Sequence, residues 1–109
     1  MWLFTNFGFY SVVKKPGEDC LTIRSRVRED LDRLREQYLP DLGQTLDHVG
    51  TDYPFRAQVD HEDFGEALKQ ISSNLDYSNF KDAVNRELGR RRAGVCSNVW
   101  SELLELENG

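Results

Sequence analysis

Cysteine, histidine, proline and glycine are all sparse in this 109-residue chain: two Cys, two His, three Pro and eight Gly. Cys20 and Cys96 stand far apart with no cysteine near either, which excludes a zinc knuckle and a Cys-x-x-Cys redox pair. Two reduced thiols in a reducing compartment, the cytoplasm, are expected, with a structural disulfide as the alternative. So few prolines and glycines leave no room for a linker or a low-complexity arm. The chain is therefore read as a single domain, residues 1–109, long enough to bury about two-thirds of its unfolded surface around one core.

No run approaches the roughly 18 apolar residues of a membrane span. The apolar start lacks a basic leader and a small-residue cleavage site before Lys14-Lys15-Pro16-Gly17, so it is not read as a signal peptide. Positive charge is also in deficit. Fourteen Lys and Arg against 19 Asp and Glu give a formal net charge of −5. That balance repels nucleic acid and anionic membranes at long range, and any polyanion site must be a local basic patch. There is no Gly-rich phosphate loop, no Gly-x-Ser-x-Gly elbow and no thiol with an evident His partner. The expectation leans against an enzyme and includes no cofactor.

What is present divides by period. Residues 2–13 are dense in aromatic and β-branched side chains and predict one strand, with Gly8 a bulge or bend. Pro16-Gly17-Glu18-Asp19 supplies a turn. A second strand over 20–26 alternates Leu21, Ile23 and Ser25 with Thr22, Arg24 and Arg26, so one parity faces a core and the other carries two guanidinium groups. Helical spacing then predicts a helix over 27–38, ended by Pro40.

A second hairpin is expected over 45–49 and 53–60. It has Tyr53, Phe55, Ala57 and Val59 on one face and Arg56 and Gln58 on the other. Helices are predicted over 61–75, capped by Asp60, over 79–88, capped by Ser78, and over 92–107.

The order is ββαββαα, an α+β fold. Residues 23–27, Ile-Arg-Ser-Arg-Val, and 55–59, Phe-Arg-Ala-Gln-Val, share a pattern and both lead into helices, which hints at duplication. A repeat makes the second and fourth strands the central pair of a four-stranded antiparallel-type sheet with helices on one face. That is a ferredoxin-like sheet whose usual last strand has moved to the N-terminus. Arg24 and Arg56 then become neighbours on the uncovered face.

That face is the first candidate site. Its residues are Arg24, Arg26, Arg56 and Gln58, with Trp2 and other aromatics of the first strand beside them and Asp52 and Tyr53 as further candidates. Guanidinium forks suit phosphate or carboxylate, and aromatic faces stack bases. The plainer alternatives are a solvated sheet face whose arginines pair with Asp or Glu, or a face closed by the last helix or a second subunit.

Residues 6–13, Asn-Phe-Gly-Phe-Tyr-Ser-Val-Val, partly match the RNA-recognition pattern but lack its leading basic residue and one glycine. His48 and His61 have no spacing that selects a metal, and none is expected. Asp52-Tyr53 with Arg56, and Asp76-Tyr77 with Lys81, are similar short strings that read as capped turns or as groups orienting a ligand.

At the C-terminus Arg90 to Arg92 precede a helix whose far end carries Glu102, Glu105 and Glu107, the reverse of what the macrodipole favours. An antiparallel neighbour or a second copy corrects it. The alternative is one helix running on from Asn79 with the arginines mid-helix.

Several of these residues together resemble a group of small bacterial proteins of unassigned function. They are Met1, Trp2, Phe4, Thr5, Gly8, Phe9 and Ser11 to Val13, then Arg24 and Arg26, Gly50-Thr51-Asp52-Tyr53 with Arg56, Asp76 to Lys81, and Val99-Trp100-Ser101. The resemblance spans nearly the whole chain and implies no activity. Residues 93–98, Ala-Gly-Val-Cys-Ser-Asn, depart from it where the group carries a Tyr and a His. The expected function is a binding or protein-interaction module that uses the arginine face or the C-terminal helix, with a protein partner or a second copy. The alternatives are a nucleic-acid or nucleotide binder, and a small hydrolase or transferase acting on an anionic substrate.

Overall fold

A computed structural model describes residues 1–47 and 52–109. The elements are β1 (Trp2–Thr5), β2 (Gly8–Val13), β3 (Leu21–Ser25), α1 (Arg28–Gln37), β4 (Leu46–Asp47), β5 (Phe55–Val59), α2 (His61–Ser73), α3 (Phe80–Leu88) and α4 (Arg90–Leu103), with a closing 3-10 turn over Leu104–Asn108. The fold is α+β. Two units are distinguished, Met1–Leu75 and Asp76–Gly109.

The first unit holds a five-stranded antiparallel sheet in the order β1-β2-β3-β5-β4. The sequence predicts four strands because residues 2–13 read as one. In the structure they fold back at Asn6 and Phe7, with Thr5 paired to Gly8. The Thr5 hydroxyl closes that turn: it donates to the Gly8 carbonyl at 2.7 Å and accepts from the Phe7 N–H at 3.3 Å. Neither Asn6 nor Phe7 takes the positive φ of the usual Gly- or Asn-containing hairpin loop, so this turn is closed by the threonine side chain instead. The hairpin is fixed to α1, where Arg33 Nε donates to the Phe7 carbonyl at 2.7 Å.

Alternation sends Tyr10, Val12, Ile23, Ala57 and Val59 to one face. There they share a core with Leu31 and Leu34 of α1, Phe64 and Ala67 of α2, and Leu39 and Leu42. Each fully buried Leu or Ile contributes about 1.5–3 kcal/mol. Ser25, also buried, donates from its hydroxyl to the Val27 carbonyl at 2.8 Å and accepts from the Val27 N–H at 3.1 Å. That bracket starts α1, whose N-cap residue Val27 offers no capping side chain. Glu29 and Asp30 in its first turn and Arg35 in its last agree with the helix dipole. Asp60 stands at the N-cap of α2 as the sequence predicts, without a side-chain capping bond.

In the second unit Asn79, not Ser78, caps α3: its side-chain oxygen accepts from the Asp82 N–H at 2.9 Å. Gly89, at φ +96°, then interrupts the helical path, a conformation open to glycine and strained for other residues. Arg90 to Arg92 therefore form the first turn of α4 rather than the middle of a longer helix. Among the described residues no helix is long and apolar enough to cross a membrane.

Candidate binding face of the sheet

Strand register assembles the site. Trp2 of β1 pairs with Ser11, Ser11 with Arg24, Arg24 with Arg56, and Arg56 with Leu46, so these five residues form one row across all five strands. Ile23 and Ala57 neighbour the two arginines in sequence and pair with each other on the helix-covered face. The row therefore occupies the opposite face. The register also suits the hinted duplication. A two-fold axis between Arg24 and Arg56 maps residues 23–25 onto 55–57.

Like charges placed directly opposite across two strands repel. Here Tyr53 mediates between them. The Arg24 and Arg26 guanidinium carbons each lie 4.6 Å from the centre of its ring, and an Arg56 Nη donates to its backbone carbonyl at 3.3 Å. Cation–π contacts of this kind contribute about 0.5–2 kcal/mol each, more as water is excluded, and Tyr53 is only 4% exposed. Alternation predicts Tyr53 on the core face with Phe55 and Ala57. The structure corrects this because β5 begins only at Phe55: Pro54 has no N–H to give the ladder, and Tyr53 is free to turn onto the guanidinium groups.

Arg24 also donates to the Ser11 hydroxyl oxygen at 2.7 Å, while its Nε is buried without a hydrogen-bond partner among the described residues. Neither Arg24 nor Arg26 has a carboxylate within ion-pair distance among those residues; the ion pairs there are Arg28–Asp47, Arg33–Asp30 and Arg35–Asp32. Asp52 is exposed beside Tyr53. Trp2, 67% exposed, stands edge-on to Phe9 at 5.6 Å, and Phe9 stacks on Phe4 at 4.4 Å. The face thus carries a cationic centre and an aromatic edge. The expected residues all lie in or beside this one region, with Arg24, Arg26 and Arg56 each touching Tyr53 and Trp2 at the far strand.

One contributor was missed. Ser11 shares parity with Phe9 and Val13, a signal the single-strand reading obscured. Arg28, in the first turn of α1, lies 4.9 Å over the Phe55 ring on the helix-covered side and pairs with Asp47, so it is not part of the row.

The other candidates disperse. His48 lies outside the described residues, and His61 opens α2. Among the described residues no group of three or more His, Cys, Asp or Glu side chains is arranged to hold a metal ion. In the second unit Tyr77 meets Phe80 at 6.1 Å, burial pushes its phenol pKa up, and Lys81 lies 5.0 Å over the Trp100 ring.

Cys20 and Cys96 are both free, the former half-buried and the latter buried. Burial pushes the Cys96 thiol pKa up, against a smaller opposing pull from the Arg92 guanidinium. Since the thiolate is the nucleophile, alkylation near neutral pH should label Cys20 about tenfold faster than Cys96. Site-resolved mass spectrometry over time checks this, and equal rates would contradict it.

No protein-family model, curated protein or solved structure matches the chain.

Proposed function

We propose that the protein is a non-catalytic binding module whose sheet face receives an acidic segment of a protein partner on Arg24, Arg26 and Arg56. One observation carries this reading: three guanidinium groups meet on a single tyrosine, and Arg24 and Arg26 have no carboxylate within ion-pair distance among the described residues. Forks held in fixed positions, already stacked and partly stripped of water, lose little freedom on accepting a carboxylate. The −5 net charge disfavours long nucleic acids as partners. A nucleotide or short single strand is the second reading, favoured by exposed Trp2 beside the Phe4–Phe9 stack. The hydrolase reading has weaker support, since the nearly buried Tyr53 serves as a platform for cations rather than as an open reactive group.

The finer ferredoxin-like description of the sheet is part of the proposal. It is supported by β3 and β5 lying together at its centre, each followed by a helix. The resemblance to the small bacterial group is retained likewise, on its residue matches alone. A reducing, cytoplasmic setting belongs to the same reading, and the two free thiols support it.

Titration with a poly-glutamate peptide and with a short oligouridine, on wild type and on the Arg24→Ala/Arg56→Ala double variant, tests it. The peptide should bind wild type at low salt, and the double variant should bind at least about tenfold more weakly. Equal binding by the two proteins removes the site. Preferential, steeply salt-dependent binding of the oligouridine transfers it to the second reading.

A further inference from the structure

We infer that α4 is a self-association surface: two copies of the chain pair antiparallel along it. The last part of the chain exposes more large apolar side chains than a solvated helix needs. Val95 and Leu103 are 52% and 54% exposed, and Leu106 is exposed beyond them. Together with half-buried Val99 they recur at intervals of four, four and three residues, one continuous stripe of a helix. α3 takes the flank marked by Trp100, where Lys81 covers the ring, and so does not account for the stripe.

Charge decides what covers it. The first turn of α4 has no acidic residue and its last turn no basic one; acids follow at Glu102, Glu105 and Glu107. Each such charge opposes the helix dipole at a site where the opposite sign would gain about 0.3–1 kcal/mol. Arg91, Glu102 and Glu105 are all exposed, take part in none of the ion pairs among the described residues, and fall on one flank of the stripe, eleven and three residues apart.

An antiparallel second copy answers the centre of the stripe and the charged flank together. A two-fold axis midway between Val95 and Val99 sets Val95 of each chain against Val99 of the other. It brings Arg91 level with the other chain's Leu103, between that chain's Glu102 and Glu105. Isologous pairing repeats every contact twice, as closed dimers do. One helix pair covers less than a standard interface, so the association is of the weak, concentration-dependent kind.

The test uses charge reversal on the exposed flank, which leaves the core untouched. Sedimentation equilibrium of wild type should show a monomer–dimer equilibrium. Arg91→Glu makes the flank wholly acidic, Glu102→Arg/Glu105→Arg makes it wholly basic, and each variant alone should dimerise at least about tenfold more weakly. Mixed one to one, they should regain wild-type affinity as a heterodimer, since every pair is then opposite in sign. Circular dichroism confirms that each variant is folded. A wild type that stays monomeric at millimolar concentration overturns the inference, as does a mixture that fails to associate. Arg24 and Arg56 are untouched, so peptide binding and self-association fail independently.

Discussion

Asp30→Ala is expected to lower the stability of the fold by about 3–5 kcal/mol, the range for removing one partner of a buried, hydrogen-bonded charge pair. Asp30 is 1% exposed in the first turn of α1. One of its oxygens accepts from the Phe9 N–H at 3.0 Å and the other from the Arg33 guanidinium. Its backbone carbonyl accepts from the Tyr10 hydroxyl at 2.6 Å. The same arginine reaches the Phe7 carbonyl, so Asp30 and Arg33 together bind the β1–β2 hairpin to the helix beneath it.

Alanine leaves the Phe9 N–H without this acceptor, and Arg33 without its counter-charge. Asp30→Asn keeps an acceptor of nearly the same shape and should cost less, about 1–3 kcal/mol. Urea denaturation of the three proteins decides it: midpoints should fall in the order wild type, Asn, Ala at an unchanged slope. A loss below about 1 kcal/mol for alanine would mean that the Asp30 carboxylate is not what holds the hairpin to α1.

Asp30 also marks what the sequence could and could not show. Within Arg28-Glu29-Asp30 it reads as one more charge on a solvated helix face, and its spacing to Arg33 reads as an ordinary surface pair. Its burial depends on where the hairpin lands, a long-range fact with no local signature. The same holds for the hairpin itself. A run of aromatic and β-branched residues reports strand propensity without direction, and its turn rests on one threonine hydroxyl instead of the usual Asn-Gly signal.

Period-two alternation was more informative at β3, where it placed Arg24 opposite in sense to Ile23. The parallel patterns at 23–27 and 55–59 place Arg24 beside Arg56, and the strand register pairs them. Alternation failed at Tyr53 because it assumes an unbroken strand, and with Pro54 in the way β5 begins two residues later than expected, at Phe55. At the C-terminus Gly89 overturns the plainer reading, one helix running on from Asn79, which helical periodicity alone could not exclude.

Gly8→Ala should destabilise the first unit by about 1–3 kcal/mol, and the cause is space rather than backbone conformation. Gly8 has no positive φ, so alanine suits its dihedral angles. A Cβ there would sit 2.4 Å from the Tyr10 hydroxyl oxygen, 2.8 Å from the ring carbon that bears it and 3.0 Å from the Asp30 carboxyl carbon. None of these yields easily. Tyr10 is fully buried and its hydroxyl is tied to the Asp30 carbonyl, while the Asp30 carboxylate is held by Phe9 and Arg33.

Tyr10→Phe removes the closest of the three atoms along with a buried hydrogen bond, at a cost of about 1 kcal/mol. In the Gly8→Ala/Tyr10→Phe double variant the new methyl group meets the ring carbon but no hydroxyl. The two losses should therefore sum to at least about 0.5 kcal/mol more than the double variant shows, a coupling of the size expected for groups in direct contact. Strict additivity in a denaturation double-mutant cycle would mean that the hairpin shifts as a body to admit the methyl group, and that the contact between Gly8 and Tyr10 does not fix its position over α1.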